Sequence, residues 1–182
     1  MGNREEVQHI PIAYKGFSGF GLIKINAVVE ISSFASDVIF VEICNLVQSN
    51  NRSYFDTKNS ISMLMNVVEL RAVAYAIKEH VEVNSNKENG GFLRQAVRYM
   101  SLYQNFTNSG KTKIFRIYYQ EKDMKIQLSM IQDGGKGSNK DLVTFIKMSP
   151  YEALGLCDSM FQIANLLEKK VFYYQQQMLI KK

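Results

Sequence analysis

An α+β chain of two ββββα units in tandem, with antiparallel sheets and the helices packed together, is the architecture this sequence predicts. Three observations predict it. A strand-into-helix passage occurs twice, as "SISMLMNVVELRAVAYAIK" from Ser60 to Lys78 and as "VTFIKMSPYEALGLCDSMFQIANLL" from Val143 to Leu167. Met65-Asn66-Val67-Val68-Glu69-Leu70-Arg71 aligns with Met148-Ser149-Pro150-Tyr151-Glu152-Ala153-Leu154 at a period of 83 residues, so the halves are expected to be alike. Short alternating runs divided by turn residues precede each passage, as antiparallel strands would. The polar, glycine-ended, aperiodic stretch Asn84 to Gly91, "NSNKENGG", separates the two. The expectation is one domain over residues 1–182, with repeats at about 7–83 and 92–182.

In chain order, His9 to Tyr14 reads as the first strand, and Lys15 to Gly21 as a glycine-punctuated connection. Leu22 to Glu30 is the second strand, with Ile23, Ile25, Ala27 and Val29 on one face and Lys24 and Asn26 on the other. Val38 to Val47 is the third, Gln48 to Ser53 a polar loop, and Asn59 to Met65 the fourth. A helix from Val67 to about Val81 then aligns Leu70, Val73, Ala74, Ile77 and Val81 on one stripe. In the second half, Leu93 to Phe106 is mostly strand, although its apolar residues are irregularly spaced. Lys111 to Gln120, Met124 to Ile131 and Leu142 to Met148 are strands, and a long helix begins at Pro150. Asn66 and Ser149 are good N-caps, with Glu69 and Glu152 placed to close capping boxes, and Pro150 suits the first helical position. The last helix has more apolar surface than one sheet needs, so the other helix or a second subunit is expected to cover the remainder.

Composition narrows the class. At 182 residues, 46% hydrophobic and with two prolines, the chain is long and apolar enough to bury a core. Cys44 and Cys157 lie in apolar runs and read as reduced core thiols rather than a disulfide framework. Met1 to Glu6 has no apolar signal core, and no run has the length of a membrane span, so a soluble cytoplasmic protein without membrane partners is expected. Residues 1–91 carry 8 Lys/Arg against 10 Asp/Glu, and residues 92–182 carry 14 against 7. A basic half points to a polyanionic partner.

Motifs for catalysis are missing. His9 and His80 lie in different elements without a cysteine or carboxylate at metal-ligand spacing. "NFTNSGKT", Asn105 to Thr112, has Gly110-Lys111-Thr112 but lacks the first glycine of a phosphate-binding loop, and a strand follows it instead of a helix. Gly16, Gly19 and Gly21 have the wrong order for a dinucleotide fingerprint. The loop around Gly134-Gly135-Lys136-Gly137 could cradle a phosphate in its amides, but reads better as a hairpin connection. No enzymatic activity, metal or cofactor is expected.

Alternation sorts the second half into faces. Met124, Ile126, Leu128 and Met130 turn inward, leaving Lys125, Gln127 and Ser129 outward. Leu142, Ile146 and Met148 turn inward, leaving Val143, Phe145 and Lys147 outward. Lys111 to Gln120 divides by a narrower margin: Phe115, Ile117 and Tyr119 form the more apolar set, which places Arg116 and Tyr118 outward. The outward set interleaves cations with aromatic rings. That mixture suits single-stranded nucleic acid, where cations track phosphates and unpaired bases stack on rings at roughly 1–3 kcal/mol each. Lysines that guard strands against aggregation, and tyrosines favoured by strand propensity, would produce a similar pattern.

A duplicated ββββα unit whose last strand enters an amphipathic helix through a Met-Ser-Pro cap resembles the Whirly fold of plant single-stranded-DNA-binding proteins. The fold class also includes trypanosome mitochondrial RNA-binding proteins, and the single unit resembles the positive-cofactor-four type coactivator. Tyr14-Lys15-Gly16 looks like the start of the plant Whirly DNA-binding signature, and Phe17-Ser18-Gly19-Phe20 then replaces the family's Lys-Ala-Ala-Leu. With no transit-peptide composition at the N-terminus, the chain looks more like a bacterial, plasmid or phage member. The resemblance implies binding of single-stranded DNA, or of RNA, with weak sequence preference, in replication, recombination, repair or transcription. It also implies a homo-oligomer, dimer or tetramer, packed through the helices. The expected contacts are Lys15, Phe17 and Lys24 in the first half and Arg116, Tyr118, Lys125, Phe145 and Lys147 in the second. The alternatives are a protein-interaction module whose aromatic face meets another polypeptide and an enzyme using the Gly134–Gly137 loop.

Overall fold

The computed structural model describes residues 14–18, 21–28, 38–49, 52–85, 99–106, 111–120, 125–134 and 141–180. Its elements run β1 (Tyr14–Ser18), β2 (Gly21–Val28), β3 (Val38–Ser49), β4 (Arg52–Phe55), β5 (Ile61–Met65), α1 (Val67–Ser85), β6 (Tyr99–Phe106), β7 (Lys111–Gln120), β8 (Lys125–Gln132), β9 (Leu142–Met148) and α2 (Pro150–Ile180). The fold is α+β with antiparallel sheets. Sheet one runs β1-β2-β3, and the far edge of β3 is shared: β5 pairs with Ile39–Ile43 and β4 with Leu46–Ser49. Sheet two is the meander β6-β7-β8-β9.

Two expectations about the first half are corrected. The first strand is Tyr14–Ser18, where a glycine-punctuated connection was expected, because the pairing of Tyr14 through Ser18 with Ile25 through Gly21 overrides the weak strand propensity of Gly16. Residues 9–13 lie outside the described set. The polar stretch Gln48 to Ser53 is mostly ladder: Gln48 and Ser49 end β3 and pair with Ser53 and Arg52 of β4, so this half has five strands. The repeat boundary at Asn84 to Gly91 begins inside α1, which continues to Ser85, and residues 86–91 lie outside the described set.

One continuous core joins both sheets and both helices. Ile23, Ile25, Val41, Ile43, Phe115, Ile117, Ile126, Leu128 and Ile146 are all fully buried in it, each on the inward parity of its strand. The helices start as their sequences dictate. Asn66 Oδ1 accepts from the Glu69 amide at 2.8 Å while Glu69 Oε2 accepts from the Asn66 amide at 2.8 Å. Ser149 and Glu152 repeat the reciprocal pair at 3.3 and 2.7 Å. Each box satisfies two donors that a helix N-terminus otherwise leaves open.

α1 and α2 pack on each other. At their crossing the Cys157 thiol donates to the Ala74 carbonyl at 3.3 Å. These residues are 83 apart, the same spacing as that between the two capping boxes. Arg71 reaches across to Asn165 at 2.7 Å and to both oxygens of Glu168 at 2.7 and 3.2 Å. Tyr75 meets the Phe161 ring edge-on, with centroids 4.8 Å apart. Among the described residues, then, the surplus apolar surface of α2 is taken up largely by α1.

The sheets are held edge to face. β9 is the last strand of sheet two, and its unpaired edge lies against β2 and β3. There the Asn45 side-chain amide donates to the Val143 carbonyl at 3.0 Å and accepts from the Phe145 amide at 2.9 Å, as a neighbouring strand would. Sheet two returns the contact, because Lys113 donates to the Ser62 carbonyl on β5 at 2.7 Å. Ser62 and Phe145 are also 83 residues apart in the sequence. Gly21 lets β9 approach: a Cβ there would stand 2.5 Å from the Phe145 carbonyl oxygen and 2.9 Å from that of Cys44. Both are backbone atoms that cannot swing aside. Gly21→Ala is expected to cost about 1–3 kcal/mol or more, and Asn45→Ala about 1–2 kcal/mol. Both are measurable as lowered denaturant midpoints at unchanged m-value, and an Asn45→Ala midpoint equal to wild type would contradict the clasp.

Candidate nucleic-acid interface

The register of sheet two decides which residues share its outer face. Arg116 stands opposite Ser129, and Ser129 opposite Phe145. One row along, Tyr118, Gln127 and Lys147 are opposite one another, and Lys125 is opposite Gln120. Directly opposed residues in an antiparallel ladder point to the same side. Phe115, Ile117, Ile126, Leu128 and Ile146 occupy the alternate positions and are fully buried in the core. Arg116, Tyr118, Lys125, Phe145 and Lys147 therefore lie together on the side away from the helices. All five are half-buried.

Local bonds order this face. Arg116 Nη1 donates to the Tyr118 hydroxyl at 3.2 Å, tying the guanidinium to the neighbouring ring. The Arg116 Nε and the Ser129 hydroxyl are buried without a hydrogen-bond partner among the described residues. A free donor on a guanidinium beside a free hydroxyl is the kind of pair that a phosphate or base edge satisfies. Sequence reasoning passed over Tyr99, which β6 places opposite Tyr118 in the register. The irregular apolar spacing of residues 93–106 hides that parity.

Lys15, Phe17 and Lys24 are on the other sheet. Lys15 stands opposite Lys24, and Phe17 opposite Leu22. The structure thus divides the eight expected contacts into a group of five and a group of three on separate faces. Lys24 is already engaged: its ammonium lies 3.2 Å from Glu42, opposite it on β3, and both side chains are about one-fifth exposed. Burial alone would raise the Glu42 carboxyl, but hydrogen bonds from Ser60 and Lys24, and the charge of Lys24, hold it below its ordinary value.

Elsewhere the chemistry is inert. Burial, then the charge of Glu42, pushes the Cys44 thiol up to about 11, and burial, then Asp158, pushes Cys157 up to about 12. Neither is a thiolate nucleophile at neutral pH. His80 is buried, with Nδ1 2.9 Å from the Ala76 carbonyl one helical turn earlier. Among the described residues no group of three or more His, Cys, Asp or Glu is placed to hold a metal, and no helix is long and apolar enough to cross a membrane. His9 and the loop residues Gly135 to Gly137 lie outside the described set.

No protein-family model matches the chain, and no curated protein matches it by sequence. Solved structures do match. The plant transcriptional regulator PBF-2 superposes with a TM-score of 0.60 over 93% of this chain and 88% of its own, at 10% identity. WHY3 from Arabidopsis thaliana superposes at 0.62 over 96% and 99%, with 9% identity. WHY1 from the same plant superposes at 0.61 over 96% of each chain, also with 9% identity. The fold is Whirly-like, as the sequence resemblance implied.

The Glu42–Lys24 pair makes a pH prediction. A carboxyl held below its ordinary value stabilises the fold above the unfolded pKa near 4.5 and loses that contribution as pH falls through the folded value. The thermal midpoint should decline more steeply below about pH 4.5 in wild type than in Glu42→Gln. Parallel profiles for the two proteins would remove the pair from the account.

Proposed function

We propose that this chain is a non-enzymatic single-stranded nucleic-acid-binding protein, with DNA preferred over RNA and weak sequence preference, and that the outer face of sheet two is its principal contact surface. The reading is carried by one observation: the register collects Arg116, Tyr118, Lys125, Phe145 and Lys147 on a single sheet face, the one opposite the buried core positions. Cations beside rings on a pleated surface provide phosphate attraction and base stacking together. The residue excess of positive charge in the second half supports the same assignment. The Whirly-like fold, shared with a plant transcriptional regulator, supports a role in transcription, replication, recombination or repair.

Lys15, Phe17 and Lys24 make the secondary contacts, and the Glu42 carboxylate weakens the contribution of Lys24. The two repeats act as one cytoplasmic domain. The chain assembles as a homo-oligomer through its helices, where Tyr75 and Leu166 are exposed at 59% and 55%. Those exposed residues also favour a second reading, a protein-interaction module, which predicts no binding of any oligonucleotide even at low salt.

The test is a charge reversal. Lys125→Glu with Lys147→Glu should abolish binding of a single-stranded oligonucleotide while leaving the circular-dichroism spectrum and thermal midpoint intact. For wild type, log affinity should fall linearly with log salt, losing about 0.7 in slope for each phosphate contact removed. Affinity within error of wild type, or a salt-insensitive affinity, would show that the face is not the site.

A further inference from the structure

We propose that the bound strand leaves the face of sheet two over the β9 edge and continues onto the β3–β4 hairpin, where Tyr54 stacks a base and Arg52 meets a phosphate. This extension rests on the single-strand reading above. Its starting point is the Asn45 clasp, which fixes the edge of β9 against β3 at Val143 and Phe145. Beyond Asn45, β3 continues as one arm of a hairpin, with Val47 opposite Tyr54 and Ser49 opposite Arg52. Alternation along the strand puts Val47 and Ser49 on the same side as Asn45, and their partners Tyr54 and Arg52 with them. One hairpin of the molecule therefore touches the edge of the proposed binding face through β3 and carries a ring and a cation just past it on β4.

The exposures agree. Among the described residues, the large apolar or aromatic side chains left exposed on strands are Tyr54, at 50%, and Val143, at 44%. They stand on either side of the Asn45 clasp. The other exposed ones, Val68, Tyr75, Tyr151 and Leu166, are on the helices. A half-exposed tyrosine on a short exposed strand buries little area, so packing does not explain its place.

The arm is held firmly enough to serve as a platform. The Asp56 amide donates to the Asn45 carbonyl at 2.9 Å, closing the base of the hairpin. Asp56 then uses both carboxylate oxygens on its own turn: Oδ1 accepts from the amides of Lys58 and Asn59 at 3.2 Å each, and Oδ2 from Asn59 Nδ2 at 2.7 Å. Its negative charge is thereby committed locally. Arg71 and Lys24 are tied into ion pairs, whereas no ion pair holds Arg52 among the described residues. Lys58 adds a second exposed cation to this end.

The experiment is fluorescence anisotropy with oligothymidylates of increasing length, from about 4 to about 16 nucleotides. Wild type, Tyr54→Ala, Tyr54→Phe, Arg52→Glu and Lys147→Glu are compared. Wild-type affinity should rise with length as the strand reaches the hairpin. Tyr54→Ala and Arg52→Glu should bind the shortest strands like wild type and the longest about tenfold or more weakly, with Tyr54→Phe restoring the ring and the affinity. If Tyr54→Ala and Arg52→Glu follow wild type at every length while Lys147→Glu loses binding, the hairpin path is overturned and the face reading stands. If wild type binds no strand of any length, both fall together.

Discussion

The last strand of an antiparallel sheet exposes a row of unpaired N–H and C=O groups, and the whole arrangement depends on where those rows are closed. Here each sheet offers a side chain to the edge of the other. Asn45 closes β9 with a donor and an acceptor, and Lys113 donates to the Ser62 carbonyl of β5. Because these groups extend from the inner faces, the sheets must bring their inner faces together, and the helices complete the same core. Bare edges would instead be templates for pairing with other chains. The approach is possible only because position 21 has no side chain, so the glycine that opens β2 becomes a fixed point of the fold.

From this constraint follows the separation of tasks between the two sides of sheet two. The inner side is Phe115, Ile117, Ile126, Leu128, Met130 and Ile146, all without exposure. Since both helices are used on that side, the outer side keeps its cations and rings uncovered by helix. The same logic applies to sheet one, with a different electrostatic result. There the cross-strand neighbour of Lys24 is Glu42, and an opposed pair of opposite sign satisfies itself. In sheet two the cross-strand neighbours of Arg116 and Lys147 on β8 are the neutral Ser129 and Gln127. The likeness to plant single-chain structures of this fold extends over nearly the whole chain, while identity of 9–10% leaves surface chemistry to be argued from this chain alone.

Much of this was legible in the sequence because period and parity are local properties. The bounds of β7 and β9, both capping boxes, and the burial of Phe115, Ile117, Ile126, Leu128, Met130, Ile146 and Met148 follow from alternation and cap spacing. What could not be read depends on contacts distant in sequence. The Asn45 clasp joins residues 98 and 100 apart, and nothing local marks one asparagine among many. Lys15 to Ser18 reads as a connection because Gly16 reads as a turn unless its partner Ile23 is known. The β3–β4 hairpin reads as a polar loop since its outer arm has only four residues, too few for alternation to register. The neutralisation of Lys24 required the β2–β3 register, which places Glu42 directly opposite it.

The most direct measurement is photo-cross-linking of a 4-thiothymidine-substituted single strand, followed by peptide mapping of the adducts. The account predicts adducts on β7, β8 and β9, with Tyr118 and Phe145 among the modified residues. Adducts confined to α1 and α2, or none at all under conditions where the strand is bound, would contradict it.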